Sequence, residues 1–343
     1  MSRTTLKDVA QEAEVSIATV SAVVNDADWV SDGTRARVRT TIESMGYRPN
    51  RVARSLKTRR GDAVGVIVSD LTNPFFTEVV RGLQHGLRER GLSLLLADAD
   101  HRFDLGGAQL DVLLDKQVDG LVVIGDSVPE AALAPHLRRA GRVPVVAIER
   151  TYDADGVHAL VVDSERAGYE ATRHLVARGY SHVGHVTGPL DGPGSTTHGR
   201  VPRLEGWRRA LAEAGLAHDD RLVAPGNWRI DGGHAAAAHL LALPEPPDAL
   251  FCANDMMALG AMAAAREAGL SLPRDLAVVG FDDVPVAALV DPALTTMAMP
   301  KADLGRAAAA LVRRLVEGGD DAGPALRSFP ARLVIRASTP PKR

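Results

Sequence analysis

Polar residues stand at the carboxyl ends of several apolar runs in this 343-residue chain. "AVGVIVSD" closes on Asp70, with Asn73 three residues on, and "LSLLLADAD" carries Asp98. "VPVVAIER" ends on Arg150, "HALVVDS" brings Asp163, "ALFCAND" brings Asn254 and Asp255, and "LAVVGFDD" brings Asp282 and Asp283. An arginine fork, carboxylates and a carboxamide are groups that hydrogen-bond vicinal hydroxyls, and Phe75 can stack on the apolar face of a sugar or on a base. Asp255 and Asp283 read better as helix caps. Other chemistries find less support. "VTGPLDGPGSTTHG" is glycine-rich but lacks G-x-x-x-x-G-K-[ST], and no G-x-G-x-x-G opens the first helix of the body. Ser195, His198 and Asp191 could be assembled into a triad, but no nucleophile elbow supports it. Cys252 stands alone, which leaves no intrachain disulfide and no Cys-based zinc site. No catalytic residue, metal or cofactor is expected.

The elements that must hold these residues are near-continuous apolar strands separated by helical stretches. That texture means buried parallel sheets, in which ligands bind outside the carboxyl ends of the strands. There are too many strands for one small sheet, so two α/β subdomains are expected. Composition is globular, at 45% hydrophobic and 24% charged, and the length suits two or three domains. No apolar run is long enough to span a membrane, and "MSRTTLKDVAQEAEV" has no apolar secretory core, so a cytoplasmic protein is expected.

The first sixty residues differ in texture. They carry 11 Lys and Arg against 7 Asp and Glu, whereas the whole chain has a net charge of -3. A basic arm on an acidic body is the footprint of a nucleic-acid binder, although a solvated Arg-rich helix face would give the same count. Thr5 and Asp8 form a capping box, followed by Leu6, Val9, Ala10 and Ala13 at helical spacing. Ser16 can cap a second helix and Val15 can staple onto Val20. At 100° per residue, Thr19, Val20, Val23 and Val24 share the packing side. Ala18, Ser21, Ala22 and Asn25 share the outer side, with Ile17 at its edge. A third helix is expected from Ser31 to Gly46, burying Val38, Ile42 and Met45. Two short helices joined by a tight turn and braced by a third make a helix-turn-helix unit. In "RPNRVARSLKTRRG", Asn50 starts and Gly61 stops a further helix of about two turns, with Val52 and Leu56 at i, i+4.

"TLKDVAQEAEVSIATVSAVVN" and "VSDGTRARVRTTIESMGYRPNRVARSLKT" resemble the DNA-binding head of the LacI/GalR repressor family without a gap. "VSDLTNPFFTEVVRGL", "GWRRALAEAGL", "FCANDMMALGAMAAAREAGLSLPRDLAVVGFDD" and "DPALTTMAMPKADLGRAAAALV" resemble its effector-binding core. The resemblance implies an all-α helix-turn-helix N-terminal domain over 1–48 and a hinge helix and linker over 49–61. An α/β two-lobed, periplasmic-binding-protein-like domain with parallel sheets then covers 62–343. Its lobes are placed at about 62–160 with 291–326, and about 161–290 with 327–340, so the chain crosses near 160, 290 and 327. The resemblance makes residues 16 to 25 the recognition helix, with Ile17, Ala18 and Ala22 facing base edges. Ala and Ile can touch a thymine methyl but cannot make a bidentate bond to guanine. Thr5, Ser16, Thr19, Ser21 and Asn25 are the other DNA contacts of the head. Asn50, Arg51, Val52, Ala53, Arg54 and Leu56 are those of the hinge, where Leu56 matches a minor-groove wedge.

By the same resemblance Arg203, before "LEGW", and Trp228, in "GNWRI", join Asp70, Asn73, Phe75, Asp98, Arg150, Asp163, Asn254 and Asp282 in an effector pocket. Two departures stand out. Ser164 replaces a common Asn, and "GPLDGPGSTTHGRVPR" is long and glycine-rich. The implied function is a sequence-specific transcriptional regulator, a repressor, acting as a homodimer on palindromic double-stranded operator DNA. A sugar or nucleoside bound between the lobes would control it, with no membrane partner. An enzyme and a secreted sugar-binding protein are the rivals, and neither needs residues 1 to 60.

Overall fold

The computed structural model describes residues 4–24, 26–47, 61–89, 91–138, 143–154, 156–190, 201–319 and 326–342. It divides the chain into two compact units, Met1–Gly61 and Asp62–Arg343.

The first unit is helical: α1 (Leu6–Glu12), α2 (Ile17–Val24) and α3 (Asp32–Ser44). Thr5 and Asp8 close the capping box on α1, and Ser31 caps α3. Ser16 Oγ accepts from the Thr19 amide at 3.0 Å and so caps α2. Val9, Ala13, Val20, Val23 and Val38 form the centre of a small core, with Ile42 and Met45 half-buried against it. Arg35 donates to the Ala27 carbonyl at 2.8 Å, which ties the turn after α2 to α3.

The second unit holds two six-stranded sheets. The first contains β1 (Ala63–Val68), β2 (Ser93–Asp98), β3 (Gly120–Ile124), β4 (Val145–Ile148), β5 (Val157–Val162) and β11 (Leu326–Phe329), in the order β11-β5-β4-β3-β1-β2. The second contains β6 (Val183–Thr187), β7 (Val223–Pro225), β8 (Ala249–Cys252), β9 (Ala277–Asp282), β10 (Thr295–Ala298) and β12 (Arg332–Val334), in the order β12-β10-β9-β8-β6-β7. Among the described residues only the β10–β12 pairing is antiparallel. Strands β1, β3, β4, β6, β8 and β9 are buried along their whole length, which is why their sequences run apolar without alternation.

Helices α4 (Pro74–Arg88), α5 (Phe103–Asp115), α6 (Glu130–Leu137) and α11 (Lys301–Val316) belong to the first lobe. Helices α7 (Ser164–Ala177), α8 (Pro202–Glu213), α9 (Ile230–Leu241) and α10 (Asp255–Glu267) belong to the second. They pack in close pairs: α4 with α11, α7 with α8, and α9 with α10. In the α7–α8 pair a Cβ on Gly168 or Gly206 would run into the facing backbone, so glycine at both places lets α8 sit low enough to present Arg203.

The chain exchanges lobes between β5 and α7, between β10 and α11, and between β11 and β12. A crossing near 290 is therefore corrected. Thr295–Ala298 pairs with β9 in the second sheet, and the exchange falls between 298 and 301. Likewise β5 continues to Val162 and β11 to Phe329 in the first sheet, so those exchanges come two or three residues late.

Candidate functional site

A cavity of about 180 Å³ opens where the carboxyl ends of the strands of both sheets meet. Arg203 lines it. Pro202 and Arg203 open α8, and the guanidinium donates from Nη1 to the Ala253 carbonyl at 2.5 Å. Its plane lies over the Phe281 ring at 3.8 Å, with Trp228 5.8 Å away. Three acids surround it on the cavity wall: Asp126, Glu149 and Asp282.

These carboxylates are far from ordinary. Burial pushes Glu149 up to about 7 against the pull of Arg203 and the Val162 amide, which donates to Oε1 at 2.5 Å. Burial pushes Asp282 up to about 6, opposed by Arg203, Lys301 and the Asn73 amide. Lys301 Nζ donates to the carbonyls of Asp282 and Asp283, both at 2.6 Å. Behind them Asp255 is pushed up to about 8 by burial and by Asp282, while it accepts from Thr296 Oγ1 at 2.6 Å and the Val284 amide at 2.8 Å. Arg203, with Arg150 on Asp126 and Lys301 beside Asp282, balances a crowd of buried acids, a setting suited to an uncharged ligand that offers hydroxyls.

Six of the ten residues expected in an effector pocket line this cavity: Asn73, Phe75, Arg203, Trp228, Asn254 and Asp282. Asn73 caps α4, accepting from the Phe75 amide at 2.9 Å, and Phe75 meets Phe76 edge-on at 5.1 Å. Asn254 caps α10 through Oδ1 and donates from Nδ2 to the Trp228 carbonyl at 2.8 Å. The other four do not line it. Asp70, 2% exposed, is held by Thr72 and Arg229. Asp98 accepts the Asp100 amide in its own turn and the Leu71 amide from the turn after β1. Arg150 pairs with Asp126 at 2.6 Å under the Tyr152 ring. Asp163 caps α7. Nearby amide, hydroxyl and guanidinium donors meet Asp70, Asp98 and Asp163, and the Asp126 carboxylate meets Arg150. Asp283 is no helix cap either; it binds Arg336 at 2.6 Å.

Sequence reasoning missed Ser69, His101, Asp126, Glu149 and Thr187, which line the cavity. It also missed Arg229, which reaches from the second lobe to Asp70 at 2.9 Å and to Asp100. Four of the lining residues take left-handed backbone without being glycine: His101 (φ 54), Glu149 (φ 58), Trp228 (φ 68) and Asp282 (φ 109). Such strain collects at functional sites, where the surrounding packing enforces it.

In the helical unit, Ile17 is 49% exposed at the start of α2, and Ala18 is exposed beside it. Thr5 is exposed at the α1 cap; Ser16 and Thr19 hydrogen-bond each other at 2.9 Å; Ser21 is half-buried. Ala22 is a correction: it is 8% exposed and belongs to the small core. Trp29, 69% exposed, was not foreseen. Asn25 and the hinge residues Asn50, Arg51, Val52, Ala53, Arg54 and Leu56 lie outside the described residues. Among the described residues no group of His, Cys, Asp and Glu could hold a metal ion, and no helix is long and apolar enough to cross a membrane.

Comparison with known proteins gives concordant results. Residues 61–338 match the family described as periplasmic binding proteins and sugar binding domain of LacI family. Residues 5–50 match the bacterial regulatory proteins of the lacI family. The HTH-type transcriptional repressor CytR of Escherichia coli (strain K12) is 34% identical over 335 residues, covering 98% of this chain and 96% of that one. Among solved structures, the complex of the transcriptional regulator CelR with cellobiose has a TM-score of 0.70 at 34% identity, over 98% of this chain and 100% of that one. The lac repressor dimer bound to operator and the anti-inducer ONPF has a TM-score of 0.83 at 28% identity, over 99% of this chain and 100% of that one. With a match to the family's head at one end and to its sugar-binding domain over most of the remainder, the chain belongs to the LacI family of bacterial regulatory proteins.

Proposed function

We propose that the protein is a DNA-binding transcriptional repressor whose operator affinity is set by an uncharged sugar or nucleoside held in the cleft around Arg203. The observation that carries this reading is the cleft itself. A buried guanidinium stacked on Phe281 sits among Glu149, Asp282 and Asn254, with Phe75 and Trp228 as aromatic walls. Arg203 and the acids bind hydroxyls, and the aromatic faces stack on the ring of the ligand. The similarity to transcriptional regulators supports a ligand that is bound and released unchanged, with no enzymatic step. The match to a dimeric, operator-bound repressor supports a homodimer that reads a palindrome through α2, with Ile17 and Ala18 at the bases and Ser16, Thr19 and Ser21 near the phosphates. Work on DNA places the protein in the cytoplasm. Closure of the lobes on the ligand biases the DNA-competent state.

The test is a thermal-shift screen of sugars, nucleosides and their phosphates, followed by binding to an operator selected from random DNA. A neutral ligand should raise the melting temperature by mass action and change operator affinity. Stabilisation by phosphorylated ligands alone, or by none, would sink the reading.

A further inference from the structure

Four buried side-chain polar atoms among the described residues have no hydrogen-bond partner: His101 Nδ1, Arg150 Nε, His185 Nε2 and Thr187 Oγ1. Buried polar groups are nearly always paired, so each needs a reason. Arg150 is already paired with Asp126 through its Nη1. His185 is stacked between Trp207 and Phe251 in the core, and its other nitrogen is held by the Phe251 carbonyl at 2.8 Å. The remaining two are different: His101 and Thr187 both line the cleft cavity, His101 from the first lobe and Thr187, at the end of β6, from the second.

We propose that His101 and Thr187 form a two-lobed polar clamp on the effector, the imidazole Nδ1 accepting from one hydroxyl of an uncharged polyol and Thr187 Oγ1 bonding another. This rests on the reading of the cleft as an effector site and adds which ligand chemistry it selects. The ring chemistry follows from its neighbours. His101 Nε2 lies 3.6 Å from the buried Asp70 carboxylate, which favours the hydrogen on that nitrogen and leaves Nδ1 as an acceptor. Burial holds the ring below its ordinary pKa, against the pull of Asp70, Asp100 and Asp98, so it stays neutral. Arg229 pairs with Asp70 and Asp100, so the ring presents a neutral acceptor nitrogen, which takes a hydroxyl donor and offers no donor to phosphate or carboxylate. The backbone fixes the ring as well, since the His101 amide donates to the Ser69 carbonyl at 2.7 Å.

The clamp is also wired to the lobes. Asp70, which faces His101, accepts from Arg229 of the second lobe at 2.9 Å. A ligand on His101 therefore joins the same network that bridges the cleft.

Thr187→Val, Thr187→Ser and His101→Phe, made in the full chain, test this with D-ribose and cellobiose as probes and ribose 5-phosphate as the charged control. Calorimetry should show whichever neutral sugar binds the wild type weakened about 10- to 100-fold by Thr187→Val and by His101→Phe, with Thr187→Ser restoring most of the affinity. Ligand-free Thr187→Val should melt no lower than the wild type, because Oγ1 has no partner to lose; a merely structural threonine would show a drop. Long-range nitrogen–proton spectra of histidine-labelled protein should show His101 neutral with its hydrogen on Nε2. A wild type that binds neither of these sugars nor any neutral sugar or nucleoside of the screen overturns the cleft reading and the clamp with it. A wild type that binds while Thr187→Val and His101→Phe keep its affinity overturns the clamp alone, as does a His101 ring with hydrogen on Nδ1. Tighter binding of ribose 5-phosphate than of D-ribose overturns the selection of an uncharged ligand.

Discussion

Arg229 of the second lobe donates from Nε to Asp70 Oδ2 of the first at 2.9 Å, across the mouth of the cleft. Asp70 is almost fully buried and Arg229 is half-buried, so the pair is worth more than a surface bridge but less than a desolvated one.

Arg229→Ala leaves Asp70 with Thr72 as its main partner. Loss of about 1 to 3 kcal/mol is expected, seen as a fall of a few degrees in melting temperature. Burial works to raise the Asp70 carboxyl, but hydrogen bonds from Thr72 and Arg229 bring it below its ordinary value. That contribution is full above the ordinary carboxylate range and is lost as pH falls through the depressed value. Acid unfolding of Arg229→Ala should thus begin at higher pH than in the wild type. Identical acid limbs for the two proteins would show that the bridge contributes nothing.

Glu149 titrates near 7 in the fold against an ordinary 4.5. The folded state holds a proton that the unfolded chain has lost, so this group favours folding most below pH 4.5 and its contribution declines as pH rises through about 7. Glu149→Gln keeps an oxygen for the Val162 amide and removes the titration. It should raise stability at pH 8 by about 1 to 3 kcal/mol and change little at pH 5. Denaturant melts at the two pH values decide the matter, and an equal effect at both would refute the raised pKa.

Arg203→Ala removes the group that stacks on Phe281, binds the Ala253 carbonyl and balances Glu149 and Asp282. Loss of its ligand hydrogen bonds is expected to cost roughly 2 to 4 kcal/mol of effector binding, about thirty- to a thousandfold. Glu149 and Asp282 should both move further up, which makes the variant more sensitive to alkaline pH. Arg203→Lys should recover only part, since an ammonium neither forks nor stacks as a guanidinium does. Calorimetry at pH 6 and pH 8 measures both effects.

On α2, Ile17 and Ala18 are the apolar exposed pair, while Ala22 is tucked into the head. DNA selected from random sequence should show thymines opposite Ile17 and Ala18 and weak constraint opposite Ala22. Ile17→Asn should shift the preferred base toward adenine. A half-site dominated by a guanine that depends on Ala22 would contradict this geometry.

Much of the architecture was legible in the sequence because it is local. Thr5 with Asp8 and Ser31 announce helix starts, and continuous apolar runs announce buried parallel strands; the cap expected at Asp255 falls one residue earlier, on Asn254. Arg203, Asn73 and Asp282 were legible from motif and strand-end position. What failed was direction. Arg150 and Glu149 are neighbours, but Glu149 adopts left-handed backbone and takes the cavity wall while Arg150 turns to Asp126. Asp98 satisfies its own turn, and His101, three residues later, faces the cavity. Arg229 and Asp70 are 159 positions apart, and no local pattern links them.

The central claim is that occupancy of the Arg203 cleft sets operator affinity. The direct measurement is operator binding at fixed salt, titrated with the sugar or nucleoside that binds, on wild type and on Arg203→Ala, beside calorimetric affinities for the same ligand. Linkage requires the midpoint of the DNA response to move to higher ligand concentration by about the factor by which calorimetric affinity falls. A DNA response that stays in place while the cleft loses its ligand would contradict the account.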